Sequence, residues 1–503
     1  MNFRRLTRNA LFSVAQTVLS GIILFELYRF LTRHLTIADI GVWSLVMAST
    51  AVGRLSEFGL GGGVVKFVAG DRGAGNARLA VSTVGMAALM VGAAVGVACL
   101  ALYIVLDRVL TYVLPDSNSV ASGHMLLPYA LAALLVAIVA NVFLGALDGC
   151  QRSDLRGVLQ VATAAVQLGA AYWVVPRQGL AGLGWTQVAQ SMFLLMGAML
   201  TVLVQFRLPL AAWLSWNRSR ARELFSYGSS FQVAAVGQLL FDPAVKALLS
   251  LFGGLALTGY YELASRMILQ LRGILVSAYS ALVPYIAHRI GAQGAQEFEL
   301  CRAYLSSYRL LVVLAVPYYG LIGVSLPPLL AFWLGRFEPQ FLTVAVLCWA
   351  GWMLNTMVGP SYFLWLAIGR LRWTVASHIV IGALTPLLGG SLGWLFGGYG
   401  VVTGAMIALV AGSYVSVFAF HREYHISVRE LLPRDSLPLL TLSLLASAMS
   451  LGAAYTLHPD GKEWIPYGSA FVAVASVLAM LAWRHPGRAE VVARLRAPLS
   501  RTA

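Results

Sequence analysis

The chain has 503 residues, of which 59% are hydrophobic and only 11% charged. A water-soluble domain carries about 25% charged residues, so this composition excludes a soluble globular protein and reads as a polytopic membrane protein. The net charge of +15 does not call for nucleic acid, because basic residues gather in the loops on one side of the membrane.

In chain order, a basic start (MNFRRLTRN) precedes an apolar run at 10–31 that is longer than the core of a signal peptide and lacks a small-residue cleavage site, so it reads as a retained first helix. Apolar runs of about 20 residues follow at 39–60, 79–106, 124–147, 157–175, 180–206, 224–251, 257–286, 303–330, 341–367, 373–396, 399–420, 436–457 and 465–483. The pattern predicts an all-α fold of fourteen transmembrane helices. Gly397, Gly398 and Gly400 mark a tight turn between two of them. The run at 157–175 is the most polar, with Gln160 and Gln167. Loops are short. The longest, at 207–223, mixes Trp213 and Trp216 with arginines and reads either as an amphipathic segment on the inner leaflet or as a solvated linker.

Placing the N-terminus in the cytoplasm puts about 24 basic residues on that side and about five on the other. This asymmetry predicts that both termini are cytoplasmic. Cys99, Cys150, Cys301 and Cys348 lie in or beside apolar runs without paired spacing, so neither a disulfide framework nor a metal site is expected.

The chain also repeats. Without a gap and at an offset of 218, Gly41 meets Gly259, Leu45 meets Leu263, Arg54 meets Arg272, Val65 meets Val283, Ala69 meets Ala287 and Arg152 meets Arg370. At an offset of 216, Gln16 meets Gln232 and Glu26 meets Asp242. A six-helix unit has both ends on one side, so its copy inserts the same way up, as a parallel repeat about an axis along the membrane normal. The expected organisation is a six-helix lobe at 1–206, a linker at 207–223, a second six-helix lobe at 224–420, and two additional helices with a basic tail at 421–503.

No Walker-type phosphate loop, HExxH or GxSxG motif is present, and no loop is long enough for an extramembrane catalytic domain. Neither an enzyme activity nor a cofactor is expected. What remains is a set of ionisable groups inside the spans. Glu26 and Asp242 fall in the outer half, and Arg54 and Arg272 in the inner half, one of each per repeat. Lys246 follows Asp242 at i+4, Glu57 follows Arg54 at i+3 and Arg266 follows Glu262 at i+4, spacings that share a helix face. Such groups either pair locally and snorkel, or line an internal pathway. On the second reading Arg54, Arg272, Arg266 and Lys246 bind an anionic cargo, because guanidinium groups hold phosphate bidentately. Asp242, Glu26 and Glu262 then take up H+ or Na+.

NALFSVAQTVLSG, GVWSLV…EFGLGGGVVKFVA, LDGCQR at 147–152, YGSSFQ at 227–232 and GYYELASRM…LVPYIA at 259–287 give the chain a resemblance over about 1–420. It resembles the Wzx-type polysaccharide flippases of the multidrug/oligosaccharidyl-lipid/polysaccharide (MOP) exporter superfamily. The resemblance implies two six-helix bundles in a V, alternating access, and a lipid-pyrophosphate-linked oligosaccharide of the undecaprenyl type as cargo. It implies movement from the cytoplasmic to the periplasmic leaflet of the bacterial inner membrane, among membrane lipids and beside a polysaccharide biosynthesis machinery. The extra pair after about 436 looks more like the lipid II flippase arrangement. Two other classes compete: a multidrug/cation antiporter of the same superfamily, which would want more acids, and a membrane glycosyltransferase or O-antigen polymerase, which would want a large outer loop.

Overall fold

The computed structural model describes residues 3–57, 59–280, 297–370, 372–431, 434–457 and 464–484, with no strand among them. Val283, Ala287 and the basic tail from 485 lie outside the described residues. The helices are α1 (Phe3–His34), α2 (Ile37–Ala51), α3 (Leu60–Gly73), α4 (Ala77–Val113), α5 (Ser117–Gly149), α6 (Ser153–Phe206), α7 (Leu210–Trp213), α8 (Arg218–Phe252) and α9 (Gly254–Ser280). They continue as α10 (Glu297–Leu334), α11 (Pro339–Thr356), α12 (Gly359–Ala367), α13 (Arg372–Glu423), α14 (Leu437–Leu457) and α15 (Trp464–Arg484). Six of them are each long and apolar enough to cross a bilayer, and the bent pair α11–α12 makes a seventh. The protein is an all-α polytopic membrane protein.

Local chemistry sets the helix starts. Thr36 and Asp39 form a reciprocal capping box on α2. Asn76, Asp116 and Asn217 cap α4, α5 and α8 by accepting from the third backbone N–H beyond them.

Helices α6 and α13 have 54 and 52 residues, about twice what a bilayer needs. Each folds back on itself at a glycine with positive φ, Gly179 (φ 55°) and Gly397 (φ 65°). Beyond the turns, a Cβ on Gly182 would sit 3.0 Å from the Val174 carbonyl oxygen, and one on Gly400 would overlap the Leu392 carbonyl oxygen. Residues eight apart in a straight helix are about 12 Å apart, so each long helix is a hairpin of two crossings. The turn predicted at Gly397–Gly400 is there, and its twin at Gly179–Gly182 stands at the same offset of 218.

Two spans are interrupted. After α2 the chain tightens into a 3₁₀ segment, Val52–Glu57, and Gly59 takes the left-handed conformation (φ 64°) before α3 begins. The expected single run at 39–60 is therefore broken, by the GLGGG sequence at 59–63. The other interruption is the 41° bend between α11 and α12, just ahead of Pro360. With the two hairpins split and the two broken spans joined, the described helices occupy the places of the fourteen predicted spans.

The helices form two compact units. One comprises Ala15–Glu262 and Thr385–Val401; the other comprises Met1–Val14, Leu263–Leu384 and Val402–Ala503. The division does not follow the repeat, since the first unit holds α8 and the start of α9 together with α2–α7. The expected linker at 207–223 belongs to that unit; it contains one helical turn, α7, and its residues from Arg218 on already form the start of α8. Trp213 is buried (6% exposed), the Ser82 hydroxyl donates to the Ser215 carbonyl at 2.9 Å, and Gly85 lies so close that a Cβ would overlap the Trp213 carbonyl oxygen. Leu214 and Trp216 are exposed. The segment is thus seated on the first turns of α4 through Trp213, and Leu214 and Trp216 are its large apolar side chains that stay exposed. Arg220, in the first turn of α8, pairs with Asp71 at the end of α3 at 2.6 Å and stacks on Phe67.

Candidate functional site

Within the Ala15–Glu262 unit, α8 and α9 bring three of the predicted site residues together. Lys246 Nζ lies 2.7 Å from an Asp242 oxygen and 2.7 Å from a Glu262 oxygen. Side-chain exposures are 2% for Lys246, 1% for Glu262 and 44% for Asp242. The i+4 spacing predicted the first contact. The second joins two helices and is invisible to local spacing. Glu262 also accepts from the Tyr28 hydroxyl of α1 at 2.6 Å and the Ser44 hydroxyl of α2 at 3.3 Å. A buried carboxylate is stable only with such donors and a counter-charge, and here all three come from different helices. The structure thus places Lys246, buried, between two acids.

Glu26, two residues before Tyr28, is partly exposed. It accepts from the Tyr172 hydroxyl at 2.8 Å and has Arg29 at 3.7 Å. Arg266 is exposed on α9.

The two arginines differ. Arg54 lies on the 3₁₀ segment, is exposed, and makes no hydrogen bond or ion pair among the described residues. Glu57, its i+3 neighbour, has its carboxylate beside Gly61 at the start of α3, where free N–H groups favour an anion. The local Arg54–Glu57 pair is accordingly not closed.

In the Leu263–Leu384 unit, Arg272 is half-buried and has only neutral partners. Its Nε donates to Thr356 Oγ1 at 3.2 Å and its Nη2 to Asn355 Oδ1 at 3.0 Å. The guanidinium lies 5.0 Å from the Trp352 ring centroid. Tyr319 and Trp352 fix Thr356, through a Tyr319 hydroxyl contact of 2.8 Å and a Trp352 carbonyl bond of 2.7 Å, while Asn355 Nδ2 donates to Ser413 at 2.7 Å. Asn355 and Thr356 end α11, directly before the bend to α12. No carboxylate pairs with Arg272 among the described residues. Sequence reading missed Tyr28, Ser44, Asn355 and Thr356, although each is a polar group inside an apolar span, where interhelical hydrogen bonding is the ordinary reason for one.

The fold itself has known relatives. A lipid II flippase MurJ in an inward closed conformation superposes with a TM-score of 0.70 at 12% identity, over 94% of this chain and 99% of that one. The fold is that of the MOP-superfamily transporters. A multidrug-resistance MATE transporter of that superfamily, in an inward-facing conformation, gives 0.66 at 14% identity over 83% of this chain and 98% of that one. A MOP-superfamily transporter from Pyrococcus furiosus, described as having a binding pocket of reversed polarity, gives 0.57 at 12% over 83% and 95%. No protein-family model and no curated protein matches the sequence.

Proposed function

We propose that the chain is a transporter that moves a lipid-linked, pyrophosphate-bearing oligosaccharide from the cytoplasmic to the periplasmic leaflet by alternating access, coupled to H+ or Na+. The observation that carries this reading is Arg272. It is a half-buried guanidinium inside a membrane helix whose protein partners are all neutral. A cation in that position is costly unless an anion completes it, and its planar fork matches a phosphate. Arg54, at the equivalent sequence position of the other repeat and in no close ion pair among the described residues, supports the same polarity. The match to MurJ supports a lipid cargo: 94% of the chain is not reached without residues beyond 420, so that likeness takes in part of the additional helices.

A cation antiporter is less well served. The buried acid Glu262 and its neighbour Asp242 already share Lys246, and Arg54 and Arg272 would repel a cationic drug. Asp242, the more exposed of the two acids, is the one open to a coupling ion.

The test is complementation of surface-polysaccharide export in a bacterium lacking its own flippase, normalised to membrane abundance. Arg272→Gln lowering export about tenfold or more while leaving abundance unchanged is expected. Normal export by both Arg272→Gln and Arg54→Gln would overturn the anionic-cargo reading. Fusions of alkaline phosphatase and a fluorescent protein at the C-terminus test the accompanying topology, for which a cytoplasmic report is expected.

A further inference from the structure

The connection between α6 and α8 is a fixed part of the Ala15–Glu262 unit. Trp213 is buried and meets Phe206 edge-on, with ring centroids 6.4 Å apart, directly beside Arg207 at the end of α6. On α4, the Ser82 hydroxyl donates to the Ser215 carbonyl at 2.9 Å, and the Met86 sulfur accepts from the Asn217 backbone N–H at 3.1 Å. Arg220 ties the first turn of α8 to Asp71 at 2.6 Å. The segment is held from several sides, so the side chains it leaves outward are presented in one place.

Those side chains are of two kinds. Leu214 and Trp216 are 71% and 59% exposed. Arg207, Arg218 and Arg222 are exposed too, and so is Arg78, one helical turn before Ser82 on α4. None of these four arginines has an ion pair or a side-chain hydrogen bond among the described residues. The two acids of this corner, Asp71 and Glu223, both pair with Arg220 instead. Arg218 and Arg222 stand at i and i+4, on one face of α8.

Helix α4 sets the level of the segment in the bilayer. It has 37 residues, about 55 Å at 1.5 Å per residue, against a hydrocarbon core of about 30 Å. A centred α4 projects by about 12 Å at each end. Ser82 and Met86 lie about 7 Å and 14 Å along it from Ala77, so the segment is seated where α4 passes from hydrocarbon to headgroups. An indole and a leucine among unpaired guanidinium groups at that level suit an anionic leaflet. The apolar side chains enter the acyl boundary, and the arginines take headgroup phosphate. A neutral leaflet would leave the four cations without counter-charge.

We propose that residues 207–222, together with Arg78, form a binding site for anionic phospholipid in the leaflet on the cytoplasmic side, the side set by the basic-loop asymmetry. Lipid held there braces the connection that leads from the first repeat into the second. The proposal depends neither on the cargo nor on the coupling ion.

The test uses full-length protein purified in neutral detergent and titrated with phosphatidylglycerol or phosphatidylcholine, read by melting temperature. Phosphatidylglycerol is expected to raise the melting temperature more than phosphatidylcholine does, and about 0.5 M salt is expected to remove the difference. An arginine beside an anionic leaflet strengthens binding about fivefold. Arg218→Gln and Arg222→Gln should each raise the half-saturating phosphatidylglycerol concentration by about that factor, and the double variant by more. Arg429→Gln, at an exposed arginine of the other unit, should leave it unchanged. Where the double variant does not accumulate, the two single variants decide. Equal responses to the two lipids, a phosphatidylglycerol response that the arginine variants keep, or the same response to inorganic phosphate would each overturn the site.

Discussion

Ser44 and Glu262 are hydrogen-bonded at 3.3 Å and are 218 residues apart, which makes them the same position of the two repeats. Only residues near a two-fold axis meet their own counterparts. Gly41 with Leu255 and Gly259 with Ile37 confirm it as a crossed pair of equal contacts. The paired hairpin turns, Gly179 with Gly182 and Gly397 with Gly400, show the same offset far along the chain. The repeat read from scattered identities is therefore structural.

This relation predicts matched effects. Gly41→Ala and Gly259→Ala each add a methyl group against a backbone carbonyl, where overpacking costs about 1–3 kcal/mol. Both should lower transport, and to similar degrees. Gly70, on α3, has nothing within 4 Å of a built Cβ, so Gly70→Ala should be neutral. Export normalised to abundance checks all three; a Gly41→Ala variant indistinguishable from Gly70→Ala would deny the close approach.

Arg272 gives a graded series. Hydrogen bonds to a charged group contribute about 1.5–3 kcal/mol each, so losing the guanidinium should weaken cargo binding about tenfold or more, at about 1.4 kcal/mol per decade. Arg272→Lys keeps the charge but loses the fork and should fall between wild type and Arg272→Gln. Asn355→Ala frees one arm of the fork and should resemble Lys more than Gln. Export measured against cargo level separates weaker binding from slower movement: the Asn355→Ala defect should shrink when cargo is overproduced.

The docked segment at 210–217 supplies a stability test. Trp213 is 6% exposed, and Trp216 is 59% exposed. Removing a large buried aromatic side chain costs about 3–5 kcal/mol, so Trp213→Ala should lower the melting temperature of detergent-purified protein clearly. Trp216→Ala should leave it almost unchanged. Equal shifts for the two would mean that the loop is held by lipid and not by α4.

These contrasts mark what the sequence made legible. Hydropathy placed the apolar runs where the described helices lie, because length and composition set where a helix can cross. Gln160 and Gln167, which made one span look weak, are satisfied by Gln16 at 2.7 Å and Gln187 at 3.1 Å, so their polarity is interhelical bonding within a real helix. The Asp242–Lys246 pair was readable because i+4 spacing is local. The Lys246–Glu262 and Arg272–Asn355 contacts were not, because each depends on which helices become neighbours. The break at 52–59 was legible in principle from GLGGG, but glycine is common enough in membrane helices that the motif alone does not separate a hinge from close packing.

The cluster of Asp242, Lys246 and Glu262 gives an ordered prediction. Two carboxylates share one ammonium, with Asp242 44% exposed and Lys246 and Glu262 2% and 1%, and what each removal leaves buried and unpaired ranks the consequences. Asp242→Asn leaves a neutral buried Lys246–Glu262 pair, so abundance should hold, and any loss of export reads out ion coupling. Glu262→Gln leaves Lys246 with Asp242 and keeps a hydrogen-bonding group beside Tyr28 and Ser44; its cost in stability should be moderate. Lys246→Met strands a buried carboxylate, and breaking a buried pair from one side costs about 3–5 kcal/mol. It should be the least abundant of the three. Adding Glu262→Gln to Lys246→Met removes the stranded charge, so the double variant should accumulate better than Lys246→Met alone. Membrane abundance and melting temperature check the order. A double variant no better than Lys246→Met would mean that Lys246 acts through its packing, and that the charge balance drawn around Glu262 is wrong.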